Sequence, residues 1–195
     1  MYPPPIQNLI NEFSKFPGIG QKQATRLVFY LLKKDSKYAE KFSQIINELK
    51  KNIICCQKCF FYDEKDDSGI CKICRAPKRD KTLICVLAKE QDLINIEKTR
   101  EYSGVYFILG SEDPEDKNTS LKIDELIKRV KNENIKEIIL GINPTSEGDF
   151  LALFIQRKLK PFGIKITRLG RGLPLGGEIE YADEETLSSA LRSRT

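Results

Sequence analysis

The sequence predicts an α/β fold that consists of several parts and is α+β in its overall organisation. Three patterns support this prediction. Apolar residues recur at helical spacing through the first 54 residues. Two Cys-x-x-Cys pairs follow, which is typical of a small metal-binding module. Beyond residue 82, short apolar runs alternate with helical patterns, which favours a parallel sheet covered by helices. The predicted parts are a helical region (1–54), a four-cysteine module (55–75), a parallel α/β domain (82–174) and a C-terminal segment (175–195), with a boundary near 75–82.

The N-terminal region predicts three helices, over residues 6–15, 21–34 and 37–53. Phe16-Pro17-Gly18-Ile19-Gly20 separates the first two, because proline lacks an amide donor and glycine allows backbone angles that other residues resist. The second helix then starts with free amides, which together with the helix dipole favour an anion such as a phosphate. Lys22 and Arg26 lie at i and i+4, so they share one helix face beside these amides. Ile19 is expected to fill the space between the two helices.

Positive charge is concentrated towards the N-terminus. Residues 1–82 hold 16 Lys and Arg against 9 Asp and Glu, whereas the remainder holds 17 against 19. A basic segment suits a polyanion, although a lysine-rich solvated surface is the alternative. The Pro-Gly-Ile-Gly turn followed by Ala24 and Leu27 resembles the helix-hairpin-helix DNA-binding motif, with an ordinary tight turn as the alternative. The resemblance implies that DNA is bound by Gly18, Ile19, Gly20, Lys22 and Arg26.

The composition excludes several classes of protein. The 195 residues include no histidine, so a Ser-His-Asp triad, a Cys-His pair and a His-ligated metal are all excluded. No apolar run approaches the roughly 18 residues of a membrane span. The N-terminus carries no basic stretch followed by an apolar one, so no signal peptide is expected and the chain is predicted to be cytoplasmic. No phosphate-binding Gly-x-x-x-x-Gly-Lys-Ser/Thr loop is present.

Four cysteines have the spacing of a structural zinc site. Cys56 and Cys59 form one Cys-x-x-Cys pair, and Cys71 and Cys74 form the other. Four thiolates complete a tetrahedron with no open position, so one zinc ion here would be structural. Redox dithiols, disulfides and free thiols are the alternatives. Cys55 could replace Cys56, but the spacing to Cys59 favours Cys56, and Cys85 is expected to be a small core residue.

The α/β domain is predicted to contain four strands and three helices. The strands are expected at 83–88, 105–109, 137–142 and 164–168, and the helices at 90–98, 121–132 and 148–159. Their order resembles the toprim domain of primases and topoisomerases, which holds magnesium with a Glu after its first strand and an Asp-x-Asp after its third. Ala88 and Asn143-Pro144-Thr145 stand at these positions here. We therefore expect no catalysis, although Glu90, Asp92, Glu147 and Asp149 lie nearby.

The order of these parts, with Asn143-Pro-Thr-Ser-Glu-Gly148 and the stretch from Arg171 to Asp183, resembles the bacterial recombination-mediator RecR family. The resemblance covers nearly the whole chain and implies a non-enzymatic DNA-binding protein associated with the nucleoid. It implies action with RecO and RecF to help load RecA on single-stranded DNA, and a homo-oligomer that is a ring-shaped tetramer or a dimer. Asp92 would lie on the surface that contacts RecO, where Ala88 replaces the family's Glu.

Two other hypotheses remain from the residues themselves. One is a magnesium-dependent toprim-type enzyme acting on nucleic acid, and the other is a protein-interaction module in which the hairpin is only structural. The Gly-Leu-Pro-Leu-Gly-Gly stretch (172–177) is either a turn-rich connector or a contact with a neighbouring subunit, and the family resemblance favours the contact. A short helix is expected from Leu187 to the end of the chain.

Overall fold

The N-terminal sequence, with its apolar residues at helical spacing, forms three helices: α1 (Pro4–Phe13), α2 (Gln21–Leu32) and α3 (Ser36–Asn52). The computed structural model describes residues 2–170, 172–173, 175–192 and 194. The chain divides into two compact units, Met1–Ile53 and Ile54–Thr195. The predicted four-part division stays a prediction, since the cysteine module and the α/β domain both lie in the second unit.

The first unit has a small core between α1 and α2. Ile10, Ala24 and Val28 are buried there, and the partly buried Ile19 packs against them. The carboxylate of Asp35 caps α3 by accepting a hydrogen bond from the Tyr38 amide at 2.8 Å. Every residue of α3 is described and none is buried, so its apolar stripe faces outward.

Two short strands and one helical turn form the cysteine module. These are β1 (Ile53–Cys55), β2 (Tyr62–Glu64) and α4 (Lys72–Arg75). A turn connects the two cysteine pairs, and in it the Asp66 carboxylate accepts hydrogen bonds from the Ser68 amide at 3.0 Å and from its hydroxyl at 2.6 Å.

A four-stranded parallel sheet forms the centre of the α/β domain, as the alternation of strands and helices predicts. Its strands lie in the order β4 (Gly104–Ile108), β3 (Asp80–Leu87), β5 (Glu137–Gly141) and β6 (Lys165–Arg168). The helices between them are α5 (Glu90–Thr99), α6 (Lys117–Asn132) and α7 (Ser146–Leu159), and a 3₁₀ turn follows at Lys160–Phe162.

Both faces of β3 are buried. Ile84 and Val86 pack into one cluster with residues of α6 and α7, while Cys85 and Leu87 pack into another with Leu93 of α5. This explains why the β3 sequence is continuously apolar rather than alternating. Helix α6 begins four residues earlier than predicted, because Asp116 caps it by accepting a 2.9 Å hydrogen bond from the Thr119 amide.

The C-terminal segment contains a 3₁₀ turn (Ile179–Tyr181) and α8 (Glu184–Arg192), which starts three residues before the predicted helix. Arg171, Pro174 of the glycine-rich stretch, and Ser193 and Thr195 of the predicted terminal helix lie outside the described residues. None of the helices that the structure describes has both the length and the apolar character needed to cross a membrane.

Candidate nucleic-acid interface and metal centre

The turn between α1 and α2 depends on glycine. Gly18 has a φ of +78°, a conformation that other residues adopt only with strain. The turn is closed by a hydrogen bond from the Ile19 amide to the Phe16 carbonyl at 3.0 Å. Ile19 then turns inward onto the small core of the first unit, as its sequence position predicts.

The start of α2 is open. Gly20 is its N-cap with extended backbone angles and provides no side-chain cap. The Ala24 amide donates to the Gly20 carbonyl at 2.9 Å, whereas the three amides before it precede the first intrahelical bond. A Cβ added at Gly20 would meet no atom within 4 Å, so an approaching group has access to this helix end. Such an end favours an anion.

Lys22 and Arg26 lie on α2 directly after this open end. Both side chains are exposed, and neither forms an ion pair among the described residues. Two uncompensated cations one helical turn apart can each approach a phosphate. The five residues predicted to bind DNA therefore belong to one hairpin, and their contact with DNA stays a prediction.

The four predicted cysteine ligands come together in the second unit. The Sγ atoms of Cys56, Cys59, Cys71 and Cys74 all lie within 4.8 Å of one another, and all four residues are buried. Bonds of about 2.3 Å to a tetrahedral zinc ion would place the sulfurs about 3.8 Å apart. The cluster therefore has the size and donor set of a structural zinc site.

Backbone amides support negative charge on the sulfurs. The Cys71 amide donates to Cys56 Sγ at 3.3 Å, and the Cys74 amide donates to Cys71 Sγ at 3.4 Å. Within the cluster, hydrogen bonds from Cys59, and then from Cys71 and Cys74, lower the pKa of the Cys56 thiol, and the same shared hydrogen bonds raise the pKa of the Cys59 and Cys74 thiols. Metal-binding cysteines must be deprotonated, and the two backbone amide donors favour that form of Cys56 and Cys71.

The other two cysteines lie outside the cluster. Cys55 is exposed and its Sγ lies 3.5 Å from the Phe60 carbonyl, so Cys56 is the member of the cluster, as the spacing favours. Cys85 is buried in β3, and burial raises the pKa of its thiol to about 12. Cys85 is thus a small core residue, as predicted.

The cysteine module is held against the sheet by Phe60. This residue has a φ of +62°, and its ring makes an edge contact with Phe107 of β4 at 5.2 Å between centroids. The Ile108 amide donates to the Cys59 carbonyl at 2.8 Å, so a residue of the cysteine cluster is hydrogen-bonded directly to a strand. Folding of the module is therefore connected to folding of the sheet.

The carboxyl edge of the sheet carries no carboxylate cluster of metal-binding geometry; among the described residues only the four cysteines form such a group. Ala88 is fully buried and its carbonyl accepts a hydrogen bond from the Gly110 amide at 2.8 Å. Asn143 Nδ2 donates to Glu112 at 2.6 Å. Asp149 is paired with Arg168 at 2.7 Å.

Asp92 lies in the first turn of α5 and is half-buried. It lines a cavity of about 460 Å³ at the carboxyl edge of the sheet, together with Asn143 and Arg168. Parallel α/β sheets commonly bind ligands and partners at this edge.

Two groups of residues were missed by the sequence reasoning. Arg79 donates to Glu97 and to two backbone carbonyls, and no sequence pattern indicates these partners. Lys34 lies over the rings of Tyr30 and Tyr38, at 4.8 and 5.8 Å from their centroids. Tyr30 follows Arg26 by four residues, a spacing that could have placed it on the basic face of α2.

Comparison with known proteins gives matches along most of the chain. The family model described as RecR, helix-hairpin-helix matches residues 6–50, a toprim domain model matches residues 82–170, and the model described as RecR, C-terminal matches residues 172–195. The recombination protein RecR of Staphylococcus aureus (strain MRSA252) is 44% identical over 197 residues, covering 100% of this chain and 98% of the relative. The recombination protein RecR of Chloroflexus aggregans is 45% identical over 193 residues, covering 97% and 93%.

Proposed function

We infer that this chain, which belongs to the RecR family of recombination proteins, binds DNA as a recombination mediator in DNA repair. One observation carries the DNA contact. The open N-terminus of α2 lies beside two exposed cations, Lys22 and Arg26, that lack acidic partners among the described residues. These groups neutralise phosphates without reading sequence, which suits a protein that must act at any damaged site.

Zinc is proposed to stabilise the second unit, with one ion per chain held by Cys56, Cys59, Cys71 and Cys74. With four protein ligands the ion has no open position, so its role is structural. Since the Cys59 carbonyl accepts a hydrogen bond from edge strand β4, loss of zinc should loosen that edge of the sheet as well as the module.

The toprim-like domain is proposed to be a scaffold and docking surface rather than a catalytic centre. Buried Ala88 offers no ligand, and Asp149 is paired with Arg168. A magnesium-dependent enzyme is therefore the less supported alternative, and magnesium-dependent DNA cleavage lost on Glu147→Gln would restore it. Half-buried Asp92, at the rim of the carboxyl-edge cavity, is the proposed contact for RecO.

The proposed partners follow from the family. We propose that the chain acts with RecO and RecF to help load RecA on single-stranded DNA, in the cytoplasm at the nucleoid. Co-purification of the chain with RecO, reduced on Asp92→Ala and retained on Glu90→Ala, would test the contact. Equal binding by both variants would place the contact elsewhere.

Self-association into a ring-shaped tetramer or a dimer is supported by exposed apolar side chains. On α3, Ile45, Ile46 and Leu49 are 52%, 47% and 59% exposed. In the C-terminal segment, Ile179 and Tyr181 are 67% and 80% exposed. Exposed apolar groups of this size are typical of surfaces that bind a neighbour. Sedimentation velocity on the native chain and on Ile45→Glu/Leu49→Glu would test this, and an unchanged mass would contradict the α3 contact.

Fluorescence anisotropy across a salt series tests the DNA contact. The native chain is compared with Lys22→Glu/Arg26→Glu, with Lys50→Glu/Lys51→Glu on α3 as a charge-matched control in the same unit. Loss of two phosphate contacts on single-stranded DNA should make the slope of log K against log salt shallower by about 1.4. Equal loss in the control would show that overall charge, and not the hairpin, determines binding.

A further inference from the structure

A second exposed cluster lies on the same helix as the proposed phosphate contact. Tyr30, near the end of α2, and Tyr38, in the first turn of α3, are 50% and 40% exposed. Their rings meet edge to face, with centroids 6.4 Å apart and planes at 84°. Lys34 lies over both rings, at 4.8 and 5.8 Å from their centroids. The cluster therefore combines two aromatic rings with an exposed cation.

Tyr30 of this cluster lies on the same face of α2 as the proposed phosphate site. Lys22, Arg26 and Tyr30 occupy positions i, i+4 and i+8 of α2, so they share one helix face at steps of about 6 Å. All three side chains are exposed. A single DNA strand that runs along this face from the N-terminal end of α2 contacts the two cations first and the aromatic ring next. That order matches the alternation of charged backbone and planar base in a single strand.

We propose that Tyr30, with Tyr38 and Lys34, forms a base-stacking platform for single-stranded DNA. The inference rests on the proposed function and adds to it a preference for single strands. A base stacks on the Tyr30 ring, and Lys34 leaves the ring to contact the phosphate that follows. In a duplex the base faces are already stacked on one another, so the platform has no partner there.

The charges around the rings favour a polyanion over a second copy of the chain. Lys33, Lys34, Lys37 and Lys41 lie within four residues of one of the two tyrosines along the chain, against Asp35 and Glu40. Asp35 is engaged as the cap of α3, where it accepts a hydrogen bond from the Tyr38 amide. A symmetric contact between two copies would bring these lysines towards each other, whereas a DNA backbone would compensate them.

Three probes separate stacking from phosphate binding. They are an oligothymidylate of roughly 20 nucleotides, an abasic strand of the same length that keeps every phosphate, and a blunt duplex. Tyr30→Leu removes the aromatic face but keeps apolar bulk, and Tyr30→Phe keeps the face. Leu32→Ala is the matched control, because Leu32 is 57% exposed at the same end of α2.

Tyr30→Leu should weaken oligothymidylate binding by about 5- to 150-fold, the range of one lost base stack. Binding of the abasic strand and of the duplex should stay unchanged, and Tyr30→Phe and Leu32→Ala should bind as the native chain does. Equal loss on all three probes, or no loss on oligothymidylate, would overturn the proposal. A changed mass of Tyr30→Leu in sedimentation velocity would also overturn it, since the rings would then belong to a contact between copies.

The proposed phosphate contact and the proposed stacking platform can be refuted independently of each other. Lys22→Glu/Arg26→Glu should weaken all three probes, because each of them carries phosphates; if it weakens none, the phosphate site is wrong whatever Tyr30→Leu does. Photocrosslinking of the native chain to an oligonucleotide carrying 5-iodouracil gives a measurement that needs no variant. An adduct on the peptide of Tyr30 or Tyr38 supports the platform, and adducts only on other peptides refute it.

Discussion

Replacing Arg79 by methionine should destabilise the second unit at neutral pH. The Arg79 guanidinium donates to Glu97 Oε1 at 2.8 Å and to the carbonyls of Tyr102 and Gly104 at 3.1 and 3.2 Å. The Tyr106 hydroxyl donates to the same carboxylate at 2.6 Å. Methionine keeps an unbranched apolar stem but lacks the guanidinium and every one of its hydrogen bonds, so the effect reports mainly the polar network.

The size of the effect follows from burial. The side chains of Arg79 and Glu97 are 20% and 27% exposed. Fully exposed pairs contribute about 0.2–1 kcal/mol, and removing one partner of a buried pair costs about 3–5 kcal/mol. A pair that is mostly but not fully buried lies between these limits, so we expect a loss of about 2 kcal/mol.

The loss should depend on pH. Burial alone would raise the pKa of Glu97, but hydrogen bonds from Arg79 and Tyr106 hold it below its ordinary value. A carboxyl group with a lowered pKa in the folded state stabilises the protein above its unfolded pKa of about 4.3. That contribution is lost as the pH falls through the folded pKa. The difference between the native chain and Arg79→Met should therefore be largest at neutral pH and shrink on acidification.

Hydrogen exchange of peptides from β3, β4 and α5 measures this unit alone. A loss of about 2 kcal/mol corresponds to roughly 30-fold faster exchange of the most protected amides. The control is the same substitution in the presence of Glu97→Gln, where most of the cost should disappear. If Arg79→Met costs as much beside Glu97→Gln, or if its cost is independent of pH, the ion pair is not the source of the stability.

Three further predictions address the turns and the metal centre. Gly18→Ala should lower the stability of α1 and α2 by about 1 kcal/mol, because φ is +78° although a Cβ would meet no atom within 4 Å; unchanged hydrogen exchange would contradict this. Gly148→Ala would place a Cβ 2.1 Å from the Asn143 carbonyl oxygen, so the Tm should fall, and a native Tm would refute the close contact. Cys71→Ser should lose zinc by elemental analysis, whereas Cys55→Ser should keep it; equal contents would show that the cluster is not the site.

Local patterns were sufficient to predict most of the fold. The apolar run from Leu83 to Ala88 predicts a buried strand, and β3 occupies it. The strand nevertheless begins earlier, at Asp80, whose amide donates to the Ser103 carbonyl at 2.9 Å. Polar residues at a strand end carry no periodic signal, so only the partner segment determines where the strand begins.

The sites show the same division between local and distant information. The spacing of Cys56, Cys59, Cys71 and Cys74 was enough to place all four in one cluster, because a Cys-x-x-Cys turn presents both sulfurs to one side. The contacts of Arg79 lie 18 to 25 residues along the chain. No local pattern encodes that separation, and such contacts are known only once the strands are paired.

The carboxylates of the toprim-like domain have a physical role that needs no metal. Glu90 and Asp92 lie in the first turn of α5, and Glu147 and Asp149 lie in the first turn of α7. Negative charge at a helix N-terminus is stabilised by the helix dipole, by about 0.3–1 kcal/mol each at an exposed site. These residues therefore stabilise the first turns of α5 and α7. This role needs no metal, and buried Ala88 offers no metal ligand at this edge. The docking role proposed for this domain would use the same negative charge, because complementary charge steers a partner onto a surface.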